Sequence, residues 1–154
     1  MKRVIMLAHC ILNGFCDLDV SDNTLRREVM DVIDKEDTGV IQLPCPELCY
    51  QALERTSIEP GDSRSGKYEE YCRDLLADLF KTLREYHKHD VEILGMLGIE
   101  NSPSCSAEDD SSIMCRIIKE ELEKSGIEAK IISDIPESAE ARHDYIKMLS
   151  DELK

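Results

Sequence analysis

A chain of 154 residues is long enough for one domain with one core, and its 42% hydrophobic residues can fill that core. A net charge of −14, from 33 acidic against 19 basic residues, with no basic cluster longer than Arg26-Arg27, argues against a nucleic-acid backbone or an anionic membrane as the main partner. No apolar run approaches the length needed to cross a bilayer, and Met1-Lys2-Arg3-Val4 opens into a strand without the apolar stretch of a secretory leader, so a cytoplasmic protein is expected.

Residues Arg3 to Ala8 read as a buried strand, followed by a loop rich in Gly, Asp and Asn from Asn13 to Asp22. A helix capped by Asp22 or Asn23 carries Leu25, Val29, Val32 and Ile33 at helical spacing. Val40 to Leu43 is a second strand. It ends in Leu43-Pro44-Cys45-Pro46-Glu47, where the two prolines hold Cys45 on a stiff, kinked loop. Leu48 to Leu53 has room for one or two helical turns, and Glu59 to Gly66 is a clear loop. One long helix is expected from Lys67 to His87, burying Tyr71 or Cys72, Leu75, Leu76, Leu79, Phe80 and Leu83. A third strand starts at Val91, and a polar loop runs from Asn101 to Asp110. The next helix, with Ile113, Ile117, Ile118 and Leu122, stops at Gly126. A strand from Ala129 to Ser133 and a helix from Ser138 to Leu153 complete the chain.

Strands alternating with helices predict an α/β fold: a single three-layer, Rossmann-like domain over 1–154, with a mostly parallel four-stranded sheet covered on both faces. Ligands of such sheets bind beyond the carboxyl ends of the strands. The first three strands each deliver a cysteine there: Cys10, Cys45 and Cys105. Seven cysteines is a high and odd number for this length, and in a reducing compartment it favours metal binding or thiol chemistry over disulfides.

Three soft thiolates suit zinc, copper(I) or an iron–sulfur cluster. The chain has no CxxC pair of the kind structural zinc sites use. His9 is a possible fourth ligand or a substrate-orienting neighbour. Cys72 and Cys115 fall on helix faces and read as core residues; Cys16 and Cys49 read as unligated thiols. Glu47 can cap the helix that follows it or act as a proton donor and acceptor. Ser102 and Ser104 can be ordinary turn residues. The loop after the first strand has no phosphate-cradling glycine pattern, which weakens a nucleotide-binding reading.

His9-Cys10-Ile11-Leu12-Asn13, Cys45-Pro46-Glu47 and Ser102-Pro103-Ser104-Cys105 together resemble the signature segments of the TudS-type thiouracil desulfidases and their relatives. The resemblance spans about two-thirds of the chain, Val4 to Cys105. It departs at His9, at Ile11-Leu12-Asn13-Gly14, at Leu48-Cys49-Tyr50-Gln51 and at Ser106, as a divergent branch would. It implies a [4Fe–4S] cluster on Cys10, Cys45 and Cys105 with one iron left open to the sulfur of a small thiolated substrate. It also implies Glu47 as general acid and base, and Ser102 as a group that bonds substrate or relays a proton. The alternative is a metal or sulfur carrier, or a thiol-based redox protein, that uses the same cysteines without turnover.

Overall fold

Apolar runs rich in Val, Ile, Leu and Met supply the strands, and three- and four-residue spacing supplies the helices. The structure is a computed structural model that describes residues 1–154. Its elements are β1 (Arg3–Leu7), α1 (His9–Leu12), a 3₁₀ turn (Gly14–Cys16), α2 (Thr24–Lys35), β2 (Gly39–Gln42), α3 (Pro46–Gln51), α4 (Ser65–Leu75), α5 (Ala77–Lys88), β3 (Glu92–Ile99), α6 (Ile113–Lys124), β4 (Ile131–Ile135) and α7 (Ala139–Leu153).

The four strands form one sheet in the order β2-β1-β3-β4, and every pairing is parallel. β1 and β3 are buried along nearly their whole length, as inner strands covered on both faces must be. Two helix groups do the covering: α2 packs with α7, and α4 with α6, α5 and α3. No helix is long and apolar enough to cross a membrane. The sheet winds outward from β1 in both directions, so the crevice between the ends of β1 and β3 is the expected place for a ligand.

β3 carries one extra residue against β1. Val4 faces Ile93, but Met6 already faces Met96. The irregularity is absorbed at Gly95, which sits at φ +140°, where a Cβ would come 1.8 Å from the carbonyl oxygen of Ile131. Only glycine fits there, and β3 stays paired with β4 from Gly95 to Ile99 through the irregularity.

Three features differ from the sequence expectation. The stretch Lys67 to His87 is two helices, broken at Leu76 (φ −91°, ψ −3°). α4 packs on α6 whereas α5 packs on β3, and the change of partner needs a change of axis at the buried Leu76. The loop after β1 opens with one turn of α-helix and one of 3₁₀-helix. The helix expected after Glu47 already begins at Pro46, whose fixed φ suits the first helical position.

Candidate functional site

Backbone bonds carry the sheet past its strand ends and fix the three loops. Leu43 N–H donates to Leu7 O (2.8 Å), Ala8 N–H to Leu97 O (3.0 Å), and Ile99 N–H to Cys105 O (2.9 Å). Cys10 then lies in the single turn of α1. Cys45, extended at φ −86° and ψ 104°, is the residue that leads into α3.

Cys105 sits in a loop held at the start of α6. The first N–H groups of a helix have no partner inside it. Here Ile113 N–H donates to Pro103 O (2.9 Å), while Met114 and Cys115 N–H donate to Ser104 O (3.0 and 3.1 Å). Ser102 Oγ accepts from Cys105 N–H (3.0 Å). Ser106 O–H donates to the Asp134 carboxylate, which also accepts from Ala107 N–H (2.6 Å). The centre of the loop, Ser104 to Ala107, is therefore buried and held on several sides.

Gly98 makes this loop possible. A Cβ there would lie 2.2 Å from Cys105 O and 2.6 Å from Ala107 N, both backbone atoms. Gly98→Ala is expected to cost about 2–3 kcal/mol in denaturant unfolding. Gly66→Ala in α4, where an added Cβ meets nothing within 4 Å, should be neutral or slightly stabilising. Equal midpoints for the two variants would show that the loop yields.

Cys10, Cys45 and Cys105 line one cavity of about 320 Å³, with Glu47, Ser102, Ser104 and Arg55 in the same wall. Every residue expected to carry the chemistry thus meets in one place. Cys16 is buried close by, outside the cavity wall, near enough for the Cys10 and Cys45 thiols to shift its own. The contact with Cys10 and burial push the Cys16 thiol up, partly offset by Cys45. The contact with Cys16 and burial raise Cys45 strongly, and burial raises Cys105. At Cys16, Cys45 and Cys105 the protonated form is thereby favoured.

Glu47 stands in the first turn of α3, half-buried. Its Oε1 accepts from Ser104 O–H at 3.1 Å, and Ser104 Oγ lies 2.7 Å from the hydroxyl of the buried Tyr68. Burial raises the carboxyl above its usual range; the Ser104 bond and the charge of Arg55 oppose it. The hydroxyl beside Glu47 is therefore that of Ser104, while Ser102 shapes the turn under Cys105. His9 pairs through Nδ1 with the side chain of Gln42 and is absent from the cavity wall. Burial, and then Arg55, disfavours its charged form. Cys72 and Cys115 are core residues, and Cys49 is exposed.

Two residues of the site had no motif to announce them. Arg55 comes from the loop after α3, and its Nη1 donates to Cys16 O at 2.6 Å. Tyr68 comes from the first turn of α4, one turn before the Tyr71 or Cys72 position expected to begin the buried face. No three His, Cys, Asp or Glu side chains converge closely enough to hold a single metal ion. The donor set is three soft thiols spread around a cavity, backed by one carboxyl and one guanidinium.

The chain is 31% identical over 156 aligned residues to the uncharacterized protein MJ0003 of Methanocaldococcus jannaschii, and the match covers 99% of this chain and 98% of that one. The chain belongs to the MJ0003 family. Membership of the MJ0003 family extends across the whole domain, including α6, β4 and α7, and so beyond the stretch that carries the three cysteine motifs. No family model matches the chain, and no solved structure matches it.

Proposed function

We propose that this member of the MJ0003 family is a [4Fe–4S]-dependent desulfidase that exchanges the sulfur of a small, thiouracil-like thiocarbonyl compound for the oxygen of water. The observation that carries the reading is the meeting of Cys10, Cys45 and Cys105 with Glu47 in one cavity. The resemblance of the three cysteine segments to the TudS-type desulfidases supports it.

The residues present fit such a cluster. Soft thiols suit iron–sulfur centres. Arg55 suits the negative charge that thiolate ligands confer. Cys10, Cys45 and Cys105 would hold the cluster, which when bound supplies a Lewis-acidic iron for the substrate's sulfur.

The chain's own groups handle position and protons. Glu47, its carboxyl raised by burial, stands at the edge of the cavity, where its acid form would give a proton to the substrate ring and its ionised form would take one from the attacking water. Ser104 fixes the carboxyl by donating to Oε1, and Tyr68 fixes Ser104 in turn. The sum is balanced without electron transfer: C=S and water become C=O, hydrosulfide and a proton.

The thiol contacts of Cys16 favour a second reading, a carrier or redox protein that uses the same cysteines. The chain Tyr68–Ser104–Glu47 has no task in that reading, which is why the enzyme is preferred. The test is protein reconstituted with iron and sulfide without oxygen, then mixed with 2-thiouracil and with simpler thioamides. Hydrosulfide and the oxygen analogue should appear in equal amounts with no electron acceptor present. Iron-loaded protein that releases no hydrosulfide from any of them would favour the carrier.

A further inference from the structure

One segment beside the cysteine cavity is strained. α3 ends at Ala52, whose N–H closes the last turn on Leu48 O (2.8 Å) and whose backbone stands at φ 69° and ψ −171°. A Cβ makes that region costly for any residue but glycine. The other non-glycine residues at positive φ are Asp37, Asp90 and Asn101, of the two types that tolerate it. Ala52 is exposed, so packing of its own side chain does not hold the conformation. What holds it lies further along the chain.

Residues 53–58 make no backbone–backbone hydrogen bond. Two side-chain ties stand in their place. Gln51 Nε2 donates to Thr56 O (2.8 Å) and draws together the ends of the segment Ala52 to Arg55. Arg55 Nη1 then donates across to Cys16 O (2.6 Å). Beyond Thr56 the chain is firm: Arg64 Nη2 donates to Ser57 O (3.1 Å), and Ile58 is buried. Ala52 to Arg55 is therefore a short flap, hinged at Ala52 and Thr56 and latched at its tip by one hydrogen bond. The latch crosses a junction. The cysteine cavity meets a second cavity of about 500 Å³, lined by Leu18 and Asp19 from the loop after β1 and by Leu53 and Glu54 from the flap. The two cavities share Asp17, Glu47, Arg55 and Ser57. Asp17 follows Cys16 in the chain, so the bond from Arg55 to Cys16 joins the two lips where the cavities meet.

We propose that the segment Ala52 to Arg55 is a strained gate. When the Arg55 latch is released, the flap swings out on Ala52, the two cavities become one passage, and Cys10, Cys45 and Glu47 are opened to molecules too large to enter past the latch. Strain and latch act against each other. The Ala52 backbone favours release and the latch opposes it, so one hydrogen bond decides the balance. The gate governs access to the cavity whatever the cavity does, and so stands apart from the desulfidase reading.

The test uses the full chain without metal and a bulky maleimide, fluorescein-5-maleimide, with the labelling of each cysteine followed by peptide mass spectrometry. Cys10 and Cys45 lie behind the gate, the exposed Cys49 lies outside it, and the buried Cys72 and Cys115 report general unfolding. Ala52→Gly relieves the hinge in the latched state and should slow labelling of Cys10 and Cys45 by about threefold or more relative to Cys49. Ala52→Val worsens the hinge and should speed it by about threefold. Arg55→Met removes the latch and should speed it by about tenfold. Trypsin gives a second readout, because it must take up the Arg55 side chain: the cut after Arg55 should slow in Ala52→Gly and quicken in Ala52→Val. Equal labelling across the variants, faster labelling in Ala52→Gly, an unchanged cut after Arg55, or a rise at Cys72 and Cys115 in step with Cys10 and Cys45 would each overturn the gate. Reconstituted protein that releases hydrosulfide while labelling stays equal across the variants would remove the gate alone. The expected labelling order in a protein that releases none would remove the desulfidase and leave the gate standing.

Discussion

Cys45→Ala should leave a folded chain that no longer retains iron. Cys45 precedes α3 without belonging to it, and the two prolines that set its backbone remain in the variant. Its side chain is only partly buried, so the truncation leaves no large void. What is lost is one of three donors, and two thiolates do not hold a cubane. Protein reconstituted without oxygen should carry about four iron and four acid-labile sulfide per chain. The figure should fall close to zero for Cys10→Ala, Cys45→Ala and Cys105→Ala. Cys72→Ala is the control. That thiol lies wholly in the core, so the variant should lose about 1 kcal/mol of stability and keep its iron. Cys16→Ala then tells whether the buried Cys16 thiol helps to hold the metal. Iron content indifferent to Cys10, Cys45 and Cys105 would remove the cluster, and the desulfidase with it.

Glu47→Gln should keep the iron and lose turnover by about 10²–10⁴-fold, the usual worth of a positioned acid or base. Gln keeps an oxygen to accept from Ser104 and cannot release or take up the proton. A carrier has no use for the carboxyl and would be unaffected. The pH dependence has a definite sign. Burial raises the folded-state pKa of Glu47 above its unfolded value. The raised carboxyl favours the fold below the unfolded pKa, and that contribution is lost as pH rises through the folded value. At neutral pH the buried carboxylate is therefore a burden, and metal-free Glu47→Gln should unfold at a higher midpoint than wild type. The difference should vanish on acidification through the ordinary carboxylate range. Desulfurisation that depends on Glu47 as a proton donor should decline as pH rises through the same raised pKa. A Gln variant with full turnover, or with a lower midpoint at neutral pH, would contradict this account.

The sheet was legible because its signal is local. Val4 to Ala8, Val40 to Leu43 and Ile93 to Gly98 are apolar runs bounded by polar residues, and a cysteine follows each. That was enough to expect three thiols at one edge, and they line one cavity. The break at Leu76 was not legible, because the apolar stripe runs through it and only the change of packing partner bends the axis. The single turn His9–Leu12 is shorter than any period a sequence can display. Arg55 reaching Cys16, and Tyr68 reaching Ser104, are contacts between distant segments. Ser104 and Ser102 have equal standing in the motif, and only the turn of the loop decides which hydroxyl faces Glu47.

The order of the sheet also bears on how the protein matures. β1 leaves the ribosome first, yet its inner neighbour is β3, with Arg3 set against Glu92. The Cys105 loop is clamped later still, by the N–H groups of Ile113, Met114 and Cys115. Cys10 and Cys45 therefore wait, as loose thiols on a half-built sheet, until most of the chain has been synthesised. Such long-range closures are slow. A cluster of the proposed kind would meet all three of its ligands only once the start of α6 has been made and docked, and iron retention would then be a readout of late folding.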